Sequence, residues 1–461
     1  AAHPYLHTHI ELLGGELTQV CDDSEPIPVE VLTLSKAELE QFQNAFIRPF
    51  DLHTGPLCRF AVVDAEDKTY LFLDVHHLIF DGMSSGVLLR DIGKAYAGEH
   101  LSAESYTYFD YAQESDDFKH SDAYKEAEGY FDKLFANFEA PTEIPSDLPG
   151  SAENGVIAEA YRTISKQQVD DFCRQNNVQP SAFFLAAVFY TVSRFAGTKN
   201  VYLSTISSGR ESVKTRNTVG MFVHTLPLAV SFEEKRSVLD LIKASNSVMR
   251  GSIDNQQYSF AEIAAKFGYK TEIMYECQIG VIADGGEIGG NAYKNIRLTF
   301  EAPKFKTVFA VVEHDGDYMI LVRYNDALYS APYMQALADA VKNVTDSMTA
   351  DKDAAVQTLS LITEEEKQSL IALGVTAKQE IETKLLHRVF ETAAAANPQK
   401  TALIACDKTL TYAELNQNAN RIAHSLTEKG VCKGDSVVLL LPRRSYYFEA
   451  MFGVLKAGAA F

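Results

Sequence analysis

The chain has 461 residues, enough for about two to four domains and a large core. With 46% hydrophobic and 23% charged residues it lies outside the disordered and collagen-like classes and reads as an ordinary folded protein. Acidic residues outnumber basic ones by 62 to 42, and the formal charge of -20 comes with no basic stripe, which argues against nucleic-acid binding through phosphate neutralisation.

Cys21, Cys58, Cys173, Cys277, Cys406 and Cys432 are far apart with no CxxC pair, so they read as free thiols of a reducing compartment, and no metal site is expected from them. The first residues, "AAHPYLHTHIELLGGE", lack the charged start and apolar core of a leader, and no 18-residue apolar run occurs. A cytoplasmic location without a membrane span is the expectation. His7 and His9 would share a strand face if "HTH" were extended, and a solvated face is the plainer reading of such a pair.

In chain order, "LCRFAVVDAEDKTYLFLDVHH" predicts two strands around a polar turn, and "SSGVLLRDIGKAY" a helix with Leu88, Ile92 and Tyr96 on one face, capped by Ser84 or Ser85. The Pro-, Gly- and Ser-bearing stretch at 138–155 predicts a linker, so a first lobe is placed at 1–140 and a second at 141–348. In that second lobe "SKQQVDDFCRQNNVQPSAFFLAAVFYTVSRFAG" predicts two helices, the later one buried all round, and "NVYLSTIS" a strand. "KTVFAVVEHDGDYMILVRYN" predicts a hairpin about its Asp-Gly turn, and "APYMQALADAVKNVTDSM" the closing helix. Residues 349–383 look like a connecting segment, and 384–461 alternate helix with strand, including an expected strand at "DSVVLLLP". The pattern is that of an α/β domain still being built.

The chemistry concentrates in "LFLDVHHLIFDGMSSG". On a strand, His76 and His77 would face opposite ways, so only one of them can serve a given cavity. A metal centre, a general base with a pKa near ~6.5, and a polar plug in a core all remain open on these residues alone. A vicinal pair is poor chelating geometry. Asp81 could stiffen the following loop, and Gly82 leaves room for a close approach.

"HHLIFDG" resembles the HHxxxDG signature of nonribosomal peptide synthetase condensation domains and the wider superfamily shaped like chloramphenicol acetyltransferase. "FDLHTGPLCRF", "YFDYA", "ISSGRE", "VGMFVHTLPL" and, weakly, "NQQYSF" are similar to further family stretches in the same order, over about residues 1–348. "LTYAELN" and "LKAGAAF" resemble the first two motifs of an adenylation domain.

The resemblance implies an α/β (α+β) fold of two acetyltransferase-like lobes in a V-shaped pseudo-dimer with a tunnel between them, then an adenylation fragment at 384–461. It implies amide formation between an acyl or peptidyl thioester on an upstream carrier protein and an aminoacyl thioester on a downstream one. The adenylation domain would be a partner in cis. No cofactor is expected on the domain itself, because phosphopantetheine arms of the carriers bring the substrates. In this picture His77 is catalytic, either as the base for the attacking amine or as a group that hydrogen-bonds the amine and the tetrahedral intermediate, and Gly82 offers its N–H to the oxyanion. His76 is structural, Asp81 pairs with Arg210 of the second lobe, and Ser85, Gly220 and His224 line the tunnel.

The pattern also departs from the family. The motif that should precede "HPYLHTHI" is absent, so the amino-terminal part is expected to be missing. His224 replaces the usual Asn, and no RDxSRNP stretch is found between 264 and 288. The adenylation part stops short of its phosphate-binding loop and catalytic lysine. The alternatives are a degenerate domain that only docks carriers, an epimerisation domain or an acyltransferase of the same fold; heterocyclisation domains carry paired aspartates in place of the two histidines.

Overall fold

The computed structural model describes all residues except 1, 23, 67, 137, 139–140, 233–236, 271, 280–284, 297–303 and 376–384. It divides into two units, Ala1–Lys367 and Gln368–Phe461.

The larger unit begins with the hairpin β1 (Thr8–Leu13) and β2 (Glu16–Cys21). His7 belongs to the preceding 3-10 turn, so it does not share a strand face with His9. A small sheet follows, built from β3 (Val29–Thr33), β4 (Cys58–Ala65) and β5 (Lys68–Val75), with helix α1 (Lys36–Phe46) packed on it. The β4–β5 hairpin pairs Cys58 with Val75 and Arg59 with Asp74. Three helices complete the first 140 residues: α2 (Gly82–Tyr96), α3 (Tyr108–Lys119) and α4 (Asp122–Phe135). Although α4 precedes the expected lobe boundary, it buries Ala127, Phe131 and Phe135 against Tyr202, Tyr258 and Tyr269 of the second lobe. Residues 139–140, at that boundary, lie outside the described residues.

The second lobe contains β6 (Ile157–Ile164), α5 (Lys166–Asn176), α6 (Pro180–Ala196), β7 (Asn200–Ser207), β8 (His224–Ser231), α7 (Val238–Asp254), α8 (Phe260–Phe267) and β9 (Ile273–Cys277). The hairpin β10 (Gly285–Ile288) and β11 (Asn291–Lys294) comes next, then β12 (Thr307–His314), β13 (Asp317–Asn325) and α9 (Ala331–Ala350). Its six-stranded sheet runs β6-β13-β12-β9-β7-β8, antiparallel except where β9 pairs with β12 and β7. Helix α6 is buried continuously from Ala182 to Ser193, as its unbroken apolar run predicts, and forms the centre of the largest core with Leu241 and Ile242 of α7 and Leu337 and Val341 of α9. The segment read as a connection is docked over its first part: Val356 and Leu359 join this core, and the Leu359 carbonyl accepts from the Tyr190 hydroxyl at 3.1 Å. Helix α10 (Glu364–Gly374) follows.

The smaller unit contains α11 (Leu386–Ala396), the hairpin β14 (Thr401–Ile404) and β15 (Thr409–Thr411), α12 (Tyr412–Glu428) and α13 (Ser445–Lys456). Phe390 and Phe452 stack at 4.1 Å in its core. The strand expected at "DSVVLLLP" is not formed: within that stretch the isolated bridge is from Ser436 to Ala460, and Val438 and Leu440 are 90% and 94% exposed. The Asp435 carbonyl and the Val437 N–H bond to Ala460, but beyond Val437 the run has no partner strand among the described residues. Among the described residues no disulfide joins the cysteines, and no helix is long and apolar enough to cross a membrane.

Candidate active site

Strand β5 ends at Val75, and the His76 N–H then donates to the Leu57 carbonyl at 2.8 Å. The chain turns at once, because the Ile79 N–H returns to the His76 carbonyl at 3.0 Å and the Ile79 side chain is fully buried among Tyr5, Leu57, Val87 and Leu88. Anchoring Ile79 in the core drives the residues on the outside of the turn toward solvent. His77 is therefore exposed, while His76 is half-buried.

The two rings are held in different ways. His76 Nδ1 accepts from the Leu78 N–H at 3.1 Å, and His77 Nδ1 lies 2.7 Å from the Phe80 carbonyl oxygen. A carbonyl can only accept, so in neutral His77 the proton sits on Nδ1 and the lone pair on Nε2. In His76 the roles are reversed, with the lone pair on Nδ1. Burial pushes the His76 pKa below its ordinary value and the neighbouring His77 adds to this, with Asp74 opposing. Among the described residues no group of three or more His, Cys, Asp and Glu side chains could hold a metal.

Asp81, not Ser84 or Ser85, caps α2: its carboxylate accepts from the Ser84 N–H at 2.8 Å. A carboxylate three residues before that amide meets the free N–H groups and the positive end of the helix, a place a serine further along cannot fill. The same carboxylate is fully buried and accepts from Arg210 Nη2 at 2.9 Å, Arg210 Nε at 3.2 Å and the Phe222 N–H at 3.1 Å. Arg210 spends its remaining donors on the carbonyls of Thr215 (2.6 Å) and Thr218 (2.7 Å) and on Ser84 Oγ (2.8 Å). Its guanidinium carbon lies 4.3 Å from the centroid of the Phe222 ring. Ser84 Oγ also donates to the Gly220 carbonyl at 2.9 Å and accepts from the Gly220 N–H at 3.0 Å, so its hydroxyl is fully used. Four residues after His77, this buried knot joins α2 to the loop that runs into β8.

The remaining site residues separate. Gly82, the first residue of α2, is exposed, and a Cβ built there would meet nothing within 4 Å. Ser85 is half-buried and its hydroxyl donates to the Gly82 carbonyl at 2.6 Å. Gly220, expected on the tunnel lining, is buried, and a Cβ there would stand 2.5 Å from Tyr108 and 2.9 Å from Phe222, so it is glycine to admit two rings. His224, half-buried at the start of β8, has Nε2 2.9 Å from the Tyr111 hydroxyl. Burial pushes its pKa down, with Glu211 opposing. The roles of Ser84, Phe222 and Tyr111 are set by tertiary contacts, although Ser84 is a candidate cap in the sequence and Tyr111 and Phe222 lie in "YFDYA" and "VGMFVHTLPL".

The Condensation domain family model matches residues 1–371, and the AMP-binding enzyme model matches 390–461. Tyrocidine synthase 2 of Brevibacillus parabrevis is 27% identical over 477 residues, and gramicidin S synthase 2 of Brevibacillus brevis 26% over 474. Both alignments cover 100% of this chain but 13% and 11% of the relatives' lengths. The fold is similar to that of a four-domain nonribosomal peptide synthetase bound to AMP and glycine, with a TM-score of 0.70 at 19% identity over 99% of this chain and 37% of the other. The first condensation domain of the calcium-dependent antibiotic synthetase superposes with a TM-score of 0.61 at 15% identity, over 79% of this chain and 88% of that domain. The chain thus belongs to the condensation-domain family of nonribosomal peptide synthetases, with part of an AMP-binding region behind it.

Proposed function

We propose that the domain joins an acyl or peptidyl thioester on an upstream carrier protein to an aminoacyl thioester on a downstream one, with His77 as the catalytic residue. The observation that carries this is the bond from His77 Nδ1 to the Phe80 carbonyl at 2.7 Å, which leaves Nε2 unprotonated on an exposed turn. The attacking amine forms the new C–N bond at the donor carbonyl as the C–S bond breaks. Nε2 accepts the proton the amine loses and returns it to the departing thiolate. Holding both thioesters together supplies much of the rate by proximity, so a modest base suffices.

Gly82 supports the oxyanion. Its N–H belongs to the first turn of α2, where backbone amides lack helical acceptors, and no atom of the chain needs the space a Cβ would take. Asp81 and Arg210 are then structural, holding the lobes together behind the reacting groups. The carrier arms bring the phosphopantetheine, and the adenylation region works in cis.

The test loads an upstream carrier with a panel of aminoacyl groups and a downstream carrier with aminoacyl thioesters, adds the folded chain, and measures dipeptidyl thioester by mass spectrometry. Product that requires His77 supports the reading. No product across the panel favours a domain that docks carriers without condensing their cargo.

A further inference from the structure

The stretch "FDLHTGPLCRF" takes no part in the chemistry above, yet besides the Leu57 carbonyl its Phe50 ring reaches the histidine turn, and its Arg59 backs that ring. The ring of Phe50 meets His76 edge to face, with centroids 5.9 Å apart at 80°. Against Phe50 lies Arg59, its guanidinium carbon 3.8 Å from the ring centroid. Arg59 is itself fixed: Nη1 donates to the carbonyls of Phe46 at 3.1 Å and Arg48 at 2.7 Å, and pairs with Asp74 at 3.1 Å across the β4–β5 register. The side chains of Arg59 and Asp74 are 14% and 16% exposed, so this arginine is built into the end of the β4–β5 ladder and is no loose surface cation.

The contacts form one chain, from the β4–β5 ladder to Arg59, Phe50, His76 and the turn. His76 Nδ1 accepts from the Leu78 N–H, so its ring closes a loop around the backbone of residue 77. If the His76 ring swings, Leu78 loses that bond and the turn relaxes. His77 Nδ1 then leaves its line to the Phe80 carbonyl, and the proton is no longer confined to Nδ1.

We propose that Phe50 and Arg59 are positioning residues for amide formation: they clamp His76, which holds His77 with Nε2 unprotonated and turned outward. This deepens the reading under Proposed function and rests on it. Phe50 and Arg59 touch no reacting atom; they act through His76.

The test uses the full chain, labelled with 15N, and compares wild type with Phe50→Leu, Phe50→Tyr and Arg59→Lys. The first readout is the imidazole 15N spectrum of His77, assigned by its loss in His77→Gln. Wild type should show the Nδ1–H tautomer. Phe50→Leu should show a mixture of tautomers, and Phe50→Tyr, which keeps the ring, should restore the single form. Arg59→Lys keeps the charge opposite Asp74 but loses the planar fork and stack, and should also give a mixture. The second readout is amide formation with carrier-borne thioesters, where Phe50→Leu should lower kcat by about 10²-fold, the cost of a small misplacement, and leave KM unchanged. A folded Phe50→Leu protein with the wild-type tautomer and rate overturns the proposal. If Phe50→Leu does not fold, an unshifted spectrum in Arg59→Lys overturns it equally. A wild type that forms no amide but loses its tautomer on Phe50→Leu keeps the clamp and rejects the proposed reaction.

Discussion

Asp81 and Arg210, separated by 129 positions in the chain, form a bidentate ion pair whose side chains are 0% and 2% exposed. Every donor of the guanidinium is used, and the carboxylate also caps α2 and receives the Phe222 N–H. Removing one partner strands the other charge out of water, which costs about 3–5 kcal/mol. Asp81→Asn should therefore lower the urea or thermal midpoint by that order while the folded fraction still condenses. A stable, fully folded Asp81→Asn protein without activity would reverse the roles assigned to Asp81 and His77.

Ser84→Ala removes the hydroxyl that links Arg210 to both backbone groups of Gly220. Arg210 keeps its bonds to Asp81 and to the Gly220 carbonyl, so the group left unsatisfied is the buried Gly220 N–H, which should cost about 1–3 kcal/mol, read as a lower denaturation midpoint with unchanged rate per folded molecule.

Gly220→Ala places a methyl 2.5 Å from Tyr108 and 2.9 Å from Phe222. Both rings are held in a cluster, Tyr108 and Phe222 with centroids 5.1 Å apart, so they yield little. A loss of about 1–3 kcal/mol is expected in the same melt, and a neutral outcome would show that the rings move freely.

Burial holds His224 below the ordinary histidine pKa of 6.5, and His76 shifts the same way. Below that value the unfolded chain takes up protons that the folded chain refuses, so stability rises with pH through this window and is lost on acidification. Replacing His224 with Asn removes one contributor. Melting temperatures followed downward from about pH 7 should fall less steeply in His224→Asn than in wild type. Parallel curves would contradict the assignment.

Much of the fold around the histidine turn and in the hairpins was legible because its signals are local. Period-two apolar runs end at Val75, an Asp-Gly turn joins β12 to β13, and adjacent histidines must diverge. The likeness of several ordered stretches to condensation domains supplied the rest, including the partner for Asp81. The sequence did not reveal features decided by tertiary contacts. Asp81 displaced the serines as cap because the same carboxylate also meets Arg210. The need for glycine at Gly220 comes from Tyr108 and Phe222, which fill the space a Cβ would take. Helix α4 reads as part of the first lobe in the linear order, but its aromatic face matches the tyrosines of the second.

The most direct measurement is the single-turnover rate of dipeptidyl thioester formation by His77→Ala beside wild type, with matched circular dichroism and melting curves. The exposed His77 ring makes one hydrogen bond, so the fold should be unchanged. The rate should fall by about 10²–10⁴-fold, the range for a lost general base. A folded His77→Ala protein that condenses at the wild-type rate would contradict the account.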